Sequence, residues 1–401
     1  MQVIDILDNL LQTHHNVIKE WFEQLQDNQM TCFYTSVDLR YSGYKLTPVD
    51  TNLFPAGFNN ISDQAKKHAS RLADNFLSTH FQNVNKIIIV AENYSRNLYY
   101  LDNLVALKHM LENTNRVVEI ATIGGDNVKL ESASKGEVTF YTVKKNDLGY
   151  LATNKGFIPD IIILNNDLTN GVPSVLKEIK QPIVPSVHLG WHNRRKSIYF
   201  NYYNKILQSF CNAFNIDSFL LQALFTTCKN LDFKHKEGLE VLAEQANILL
   251  SQLKEKYKIY NIKDEPYLFI KADKGTYGRG IMVAKSVDEI LYMNKKHRNS
   301  MHVIKDGIHN KEVILQEGIR TIENINGKFA EPLIYLVNNT PIECIYRVNR
   351  DHDEFNSLNS TGMYFINNYK SKHVSVLYLV AQLANLAAIY EANINNVFSI
   401  K

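Results

Sequence analysis

The chain has 401 residues, which at roughly 100 to 200 residues per domain predicts two or three domains. Apolar residues make up 45% and charged residues 21%, the usage of an ordinary globular protein, which excludes a disordered or fibrous chain. The 44 Lys and Arg residues nearly balance the 41 Asp and Glu residues, and this net charge of +3 excludes a protein whose main task is to coat nucleic acid or an anionic membrane.

The cysteines and the first residues predict where the protein works. Four cysteines lie far apart without a Cys-x-x-Cys pair, which favours neither a zinc cluster nor a disulfide framework and indicates a reducing compartment. Asp5 and Asp8 stand where a secretion signal needs basic residues, and no apolar run approaches the roughly 18 residues of a membrane span. We therefore expect a cytoplasmic protein without a membrane or nucleic-acid partner. The sequence leaves homo-oligomerisation open.

The first half of the chain combines helical patterns with short β-branched runs. Apolar residues at helical spacing predict an amphipathic helix over 3–22 and another over 63–80, with an irregular stretch over 32–61. From Lys86 onward, alternating strand and helix patterns predict a mostly parallel sheet covered on both faces, which is a doubly wound α/β domain. Its predicted strands are 87–91, 117–123, 138–143, 161–164 and 183–185.

The second half predicts helices over 217–230 and 236–257, followed by a β-rich section. A final helix over 372–393 is apolar on most of its circumference, so we expect it to be buried. The predicted strands of the β-rich section are 267–271, 281–284, 302–304, 313–316 and 333–337.

A glycine-rich loop between two of these strands is the strongest chemical signal. The loop carries Lys271 and Lys274 followed by three glycines, so backbone N–H groups can approach an anion while ammonium groups neutralise it. A triphosphate suits such a loop. It is not a Walker loop, because the order of residues differs and a strand follows it. A glycine-rich surface hairpin without a ligand is the alternative.

A later strand ends in Gln316, Glu317 and Gly318. Its backbone amides can line an adenine pocket while the carboxylate accepts hydrogen bonds from ribose hydroxyls. Together with the loop, this segment resembles the nucleotide-binding half of the ATP-grasp superfamily. The resemblance implies that the lysines contact phosphates, that the loop closes over them and that the later strand holds the nucleoside. The implied ATP-binding residues are Lys271, Lys274, Gly275, Thr276, Tyr277, Gly278, Gly280, Gln316 and Glu317.

The irregular N-terminal stretch supplies candidate metal ligands. In an extended segment Asp50 and Asn52 point to the same side, so a carboxylate and an amide oxygen can reach one cation. An Asx-type turn is the alternative. The stretch resembles segments of eukaryotic-type glutathione synthetases, which are circularly permuted ATP-grasp ligases. By that resemblance Arg40 binds a substrate carboxylate, Asp50 and Asn52 bind Mg²⁺, and Asp273 is the nearest substitute for a loop acid that this chain lacks.

A basic run over 188–196 follows the last parallel strand. Clustered cations there suit an amino-acid carboxylate or a phosphate, and arginine offers a bidentate fork to either. A solvated basic loop is the alternative. The candidate substrate-binding residues are His192, Arg194 and Arg195 of this run, together with Arg40, Tyr44 and Lys45 of the N-terminal segment.

With residues 356–363 added, essentially the whole chain resembles a bacterial glutamate-cysteine ligase family. The resemblance implies an ATP- and Mg²⁺-dependent ligase that joins the γ-carboxylate of L-glutamate to the amine of L-cysteine through γ-glutamyl phosphate, the first step of glutathione synthesis. Arg40 and Lys271 would then be catalytic. A glutathione synthetase, another ATP-grasp carboxylate-amine ligase and a non-catalytic ATP-binding regulatory protein are the alternatives.

The resemblance also implies the fold class, an α/β ATP-grasp-like ligase in the permuted order with an inserted doubly wound domain. We expect N-terminal helices and a metal- and substrate-binding segment over 1–83. The doubly wound domain would follow over 84–215, and the nucleotide-binding region over 216–401.

Overall fold

A computed structural model describes residues 2–26, 31–92, 97–274, 280–303, 307 and 309–394. The helices are α1 (Val3–Gln26), α2 (Asp63–His80), α3 (Leu98–Glu112), α4 (Lys196–Phe214), α5 (Leu239–Ile259), α6 (Val287–Leu291), α7 (Lys295–His302) and α8 (Val374–Ile394). The strands are β1 (Tyr34–Tyr41), β2 (Leu46–Asn52), β3 (Lys86–Ala91), β4 (Val117–Thr122), β5 (Val128–Glu131), β6 (Glu137–Lys145), β7 (Leu151–Thr153), β8 (Ile161–Asn165), β9 (Ile183–Val184), β10 (Phe225–Lys229), β11 (Leu268–Ala272), β12 (Ile281–Ala284), β13 (Glu312–Glu317), β14 (Asn324–Ile325), β15 (Lys328–Val337), β16 (Thr340–Asn349) and β17 (Met363–Ile366).

Sheet I is antiparallel and joins distant parts of the chain. Its strands run in the order β17-β16-β15-β1-β2, with β14 paired to β15. The pairing of Tyr34 with Val337 places an early strand beside a late one. The prediction of an irregular stretch over 32–61 was therefore wrong in part, because β1 and β2 form a hairpin there. β1 is buried on both faces but carries polar residues at alternate positions, a pattern that resembles neither an apolar run nor a half-exposed strand.

Sheet II is the predicted mostly parallel sheet, in the order β5-β6-β4-β3-β8-β9 with β7 on β6. All five predicted strands are present, and β3 pairs in parallel with β4 and β8. Both faces are buried: Ile88 and Val90 pack in one core with residues of α4 and α8, whereas Ile87 and Ile89 pack in another with residues of α2 and α3. The doubly wound arrangement is confirmed.

Sheet III is a four-stranded antiparallel sheet, β10-β13-β11-β12, covered by α5. The predicted helix over 217–230 was wrong, because Phe225–Lys229 pairs with β13 as a strand. The predicted strand over 302–304 was also wrong at its start: α7 ends at His302, Val303 makes one isolated bridge, and Ile304 lies outside the described residues. The helices predicted over 3–22, 63–80 and 236–257 are confirmed as α1, α2 and α5.

The last helix, α8, is the buried helix that the sequence predicted. By length and composition alone it could cross a membrane. Here it packs against α1, α4 and four strands of sheet I, and residues on all sides of it, such as Leu377, Leu383 and Ile389, are buried. The same composition serves a core helix of a globular fold.

Candidate active site

A cavity of about 1040 Å³ opens where the three sheets meet. Sheet I contributes residues of β1, β2, β15 and β16, sheet III contributes Phe269 and Lys271 of β11, and sheet II contributes Asn165 at the carboxyl end of β8. Ligands of α/β sheets commonly bind at that end of the strands. The charged residues on its wall are Asp38, Arg40, Asp50, Asp167, Lys196, Lys271, Glu331 and Arg347.

The β1–β2 hairpin places two acids side by side on this wall. Along β1, Asp38 faces the cavity while its neighbours Val37 and Leu39 pack in the core. Asp38 is the direct cross-strand partner of Asp50 on β2. Like charges in directly opposed positions destabilise a sheet unless cations compensate them.

Cations meet each of the two acids. Lys196 Nζ lies 2.5 Å from Asp50 Oδ1, and an Arg347 guanidinium nitrogen lies 2.5 Å from Asp38 Oδ1. Arg347 also reaches Glu331 at 3.3 Å. The acid pair is therefore neutralised from two sides.

Arg40 continues this row of charges. Its Nε donates to Glu331 Oε1 at 2.7 Å, and one terminal nitrogen donates to the Ile319 carbonyl at 2.8 Å. The other terminal nitrogen donates to Glu331 and to the Asn356 carbonyl. Arg40 thus lies on the cavity wall, as a substrate-binding residue should, but protein acceptors engage all three of its nitrogens.

Lys271 is the cation of sheet III that reaches the cavity. Its Nζ donates to Gln316 Oε1 at 2.9 Å and to the Val49 carbonyl at 3.2 Å. An ammonium group has three N–H donors, so one remains for a ligand. Burial lowers the pKa of Lys271 to about 8; Asp50 opposes this shift and Lys196 adds to it.

The acids of the wall differ in their electrostatics. Burial raises the pKa of Asp38, and Arg347 offsets that shift only in part. Burial acts on Asp50 in the same direction, but Lys196 and Lys271 outweigh it, and the pKa of Asp50 is lowered. Asp50 is therefore anionic at neutral pH.

The oxygen atoms on this wall fit a magnesium ion that is held partly by the protein and partly by substrate phosphates. Asp50, Asn52 and Asp38 offer hard oxygen atoms on one wall, whereas no group of three Asp, Glu, His or Cys side chains converges to hold a metal within the described part of the chain. Mg²⁺ is usually held by one or two carboxylates plus substrate phosphates and waters. Asn52 Oδ1 also accepts the Phe54 N–H at 2.9 Å, so the Asx-type turn is present as well.

Asp273 is placed differently from the predicted metal ligand. Its two carboxylate oxygens accept the backbone N–H and the hydroxyl of Ser197 at 2.8 and 2.7 Å, at the start of α4. It does not belong to the cavity wall. This arrangement gives Asp273 the role of a helix cap rather than of a metal ligand.

The predicted phosphate loop is described only at its ends. Gly275, Thr276, Tyr277 and Gly278 lie outside the described residues. The Gly280 carbonyl accepts the Ala272 N–H at 3.1 Å, which closes the β11–β12 connection. Burial lowers the pKa of the His192 imidazole, and the charges of His188 and Lys274 add to that shift.

The arginines of the basic run are held by acids away from the wall. Arg194 donates to Glu391 and to the Thr51 carbonyl, and Arg195 donates to Glu312. His192 Nδ1 lies 3.1 Å from the Leu168 carbonyl. The next cation, Lys196, lines the cavity, as does Trp191 of the same run.

Four other predicted site residues meet behind the wall. Lys45 Nζ lies 2.5 Å from Glu317 Oε2, and Tyr44 donates through its hydroxyl to Tyr257. Gln316 accepts from Lys271. Tyr44, Lys45, Gln316 and Glu317 are all absent from the cavity lining.

Local sequence patterns do not single out Asp38, Glu331 or Arg347, and Lys196 is included only as the last residue of the basic run over 188–196. A signal for Asp38 exists, since it alternates with Ser36 and Arg40 on a strand whose intervening residues Val37 and Leu39 are apolar. Glu331 and Arg347 become visible only through the pairing of β15 with β16, where they are direct partners.

Comparison with known proteins gives a family and a solved structure that is similar over nearly the whole chain. The family model described as glutamate-cysteine ligase matches residues 8–392. The crystal structure of a "Putative gamma-glutamylcysteine synthetase" from Methylobacillus flagellatus KT is 33% identical with a TM-score of 0.90, over 98% of this chain and 97% of that chain. No curated protein matches the chain.

Two further solved structures are much more distant. A D-alanyl-alanine synthetase A from Vibrio cholerae is 13% identical with a TM-score of 0.35, over 75% of this chain and 80% of its own. A glutathione synthetase-like effector from Globodera pallida is 12% identical with a TM-score of 0.38, over 86% of this chain and 75% of its own.

The sheet arrangement confirms the predicted α/β class, in which a mostly parallel sheet is inserted in the chain between strands of sheet I. The family match extends over nearly the whole chain. The chain therefore belongs to the glutamate-cysteine ligase family of ATP-dependent ligases.

Proposed function

We propose that the cavity is the active site in which L-glutamate and L-cysteine are joined. The γ-phosphoryl group of ATP passes to an oxygen of the glutamate γ-carboxylate and ADP leaves. The cysteine amine then attacks the acyl carbon, inorganic phosphate departs with the bonding electrons, and the amine loses a proton. Activation is needed because a carboxylate oxygen is a poor leaving group.

The observation that carries this proposal is the meeting of Asp50 and Lys271. Lys271 contacts the Val49 carbonyl, 222 positions earlier in the chain, and its ammonium group is electrostatically coupled to Asp50. A carboxylate that could bind a metal and an ammonium group that could bind phosphates thus lie together on one wall of the cavity. Phosphoryl transfer depends mainly on positioning and on stabilising charge, which these two groups can supply.

Lys271 and Lys196 are the proposed phosphate contacts, and Asp50, Asn52 and Asp38 are the proposed metal ligands. Magnesium, when bound, would neutralise charge on the phosphates. Lys196 is paired with Asp50, so its ammonium group would be free to contact a phosphate if Asp50 held a magnesium ion. Exchange of ion partners in this way keeps each buried charge compensated.

We infer that Arg347 joins Arg40 in receiving the amino-acid carboxylate. Arg40 has its nitrogens engaged by Glu331 and two carbonyls. Arg347 keeps its Nε without a hydrogen-bond partner among the described residues, and it lines the cavity. Such a guanidinium is suited to a carboxylate.

The amino-acid dependence of ADP formation tests the proposal. Purified protein given Mg-ATP, glutamate and cysteine should release ADP and phosphate, with γ-glutamylcysteine detected by mass spectrometry. Phosphate release that requires γ-glutamylcysteine and glycine instead would identify a glutathione synthetase. Binding of ATP without turnover for any amino-acid pair would identify a regulatory protein.

A cytoplasmic location fits this activity. All four cysteines are free and buried, as in proteins of a reducing compartment.

A further inference from the structure

The tip of the β1–β2 hairpin enters the core of sheet III. Tyr44 packs against the hydrophobic cluster that α5 forms with that sheet. The side chain of Lys45 next to it is 0% exposed, as is that of its partner Glu317 at the end of β13. A fully buried charge pair costs free energy unless its geometry and hydrogen bonds are complete.

The hydrogen bonds of the Lys45–Glu317 pair are complete. Lys45 Nζ donates to Glu317 Oε2 and, at 2.9 Å, to the Gln222 carbonyl, and it lies 3.6 Å from the centre of the Phe219 ring. Glu317 Oε2 also accepts the Leu224 N–H at 3.1 Å. Its Oε1 accepts the Tyr257 hydroxyl at 3.1 Å. The carboxylate of Glu317 is thus committed to protein donors and closed to a solvent-borne ligand.

The pair connects the two halves of the proposed active site. Lys45 immediately precedes β2, the strand that carries Asp50 and Asn52. Glu317 lies on β13, which pairs directly with β11, and this register places Leu268 opposite Glu317 and Lys271 opposite Ile314. A shift of the hairpin tip relative to sheet III would therefore move Asp50 relative to Lys271.

We propose that Lys45 and Glu317 are positioning residues that set the place of the metal-binding carboxylate relative to the phosphate-binding lysine, and that Glu317 does not read the ribose of ATP. The proposal rests on the proposed function. It reassigns a residue that the sequence marked as a nucleoside ligand. Its direct consequence is that loss of the pair weakens the binding of ATP and of its deoxy analogues equally.

The test uses variants that keep the shape of the pair. K45M/E317Q removes both charges together, so that neither is left buried alone. Tyr257→Phe removes only one hydroxyl from the network. K129M/E137Q removes an exposed pair at the edge of sheet II, with side chains 63% and 48% exposed, and serves as the matched control.

Binding of Mg-ATP, Mg-2′-deoxy-ATP and Mg-3′-deoxy-ATP is measured by calorimetry without amino acids. In K45M/E317Q we expect all three dissociation constants to rise together by about tenfold, with ratios between the nucleotides within twofold of wild type. Turnover should fall roughly 100-fold, the usual effect of misplacing reacting groups by about 1 Å. Y257F should show the same pattern with a smaller change, and K129M/E137Q none.

Two results would overturn the inference. Selective loss of the preference for ATP over a deoxy analogue would show that Glu317 contacts the ribose. Unchanged affinity and turnover in K45M/E317Q would show that the pair positions nothing, and Y257F decides in the same way if the double variant does not fold. A wild type that binds Mg-ATP but does not join glutamate to cysteine overturns the proposed function and leaves the calorimetric test valid.

Discussion

Two lysine–carboxylate pairs flank strand β2, and they differ in what surrounds them rather than in their own geometry. Both have a nitrogen–oxygen distance of 2.5 Å. The Lys45–Glu317 side chains are 0% exposed, whereas those of Lys196 and Asp50 are 9% and 36% exposed and line the cavity. The first pair has protein partners for both members, while the second keeps oxygen lone pairs and ammonium protons turned towards the cavity.

A short nitrogen–oxygen distance therefore does not by itself show whether an ion pair has a structural or a chemical role. Access and unused hydrogen-bonding capacity distinguish the two pairs. A third pair, Arg195–Glu312, is 23% and 35% exposed but lies away from the cavity. Substitutions at the three ion pairs should therefore have different effects on activity and on stability.

Breaking the cavity pair should have the largest effect on activity. Asp50→Asn keeps the size of the side chain and removes its charge, so magnesium binding and transition-state stabilisation are lost together. We expect turnover to fall by about 100- to 1,000-fold in the coupled ADP assay. Asp63→Asn, at an exposed acid paired with Lys66, is the matched control.

Thermal unfolding accompanies that assay. A D50N protein with wild-type turnover would remove Asp50 from the metal site, and a D50N protein that unfolds at room temperature would make the pair structural, like Lys45–Glu317.

The pH dependence of ATP use tests the role of Lys271 on the cavity wall. Because the pKa of Lys271 is lowered to about 8, the free enzyme loses this charge above pH 8, and kcat/KM for ATP should then fall by about tenfold per pH unit. The unfolded chain keeps the proton up to a pKa of about 10.4. This group therefore makes the free energy of unfolding of the ligand-free protein rise between about pH 8 and pH 10.

Initial rates between about pH 6.5 and 9.5 test this expectation. Lys271→Arg, which cannot lose its proton in this range, should abolish the fall above pH 8. An identical fall in the arginine variant would assign the titration to another group.

The surface pair should give the smallest effect. Arg195→Met removes a partly exposed salt bridge away from the cavity, and solvent-exposed salt bridges are worth about 0 to 1 kcal/mol in most proteins. We expect Michaelis constants for glutamate and cysteine within twofold of wild type and a melting temperature within about 3 °C. A large rise in either Michaelis constant would restore Arg195 to the substrate-binding residues that the sequence suggested.

The sequence predicted sheet II well because its strands are buried on both faces and appear as continuous Ile and Val runs. It missed the hairpin strand β1, where polar residues for the cavity alternate with apolar residues for the core. The sequence nevertheless named Arg40, Asp50 and Asn52, which line the cavity, through a resemblance and through spacing along one strand. Lys196, Glu331 and Arg347 reach the cavity only through long-range packing, which no local pattern encodes.

The pairing of Tyr34 with Val337 has a consequence for the nascent protein. Strand β1 must wait for a partner that the ribosome makes about 300 residues later, a delay of roughly 15 to 60 s at common elongation rates. Throughout that interval Asp38 and Arg40 of the hairpin lack their partners Arg347 and Glu331 on the late strands. The cavity wall therefore cannot be complete until β15 and β16 have been synthesised, after all the strands of sheet II.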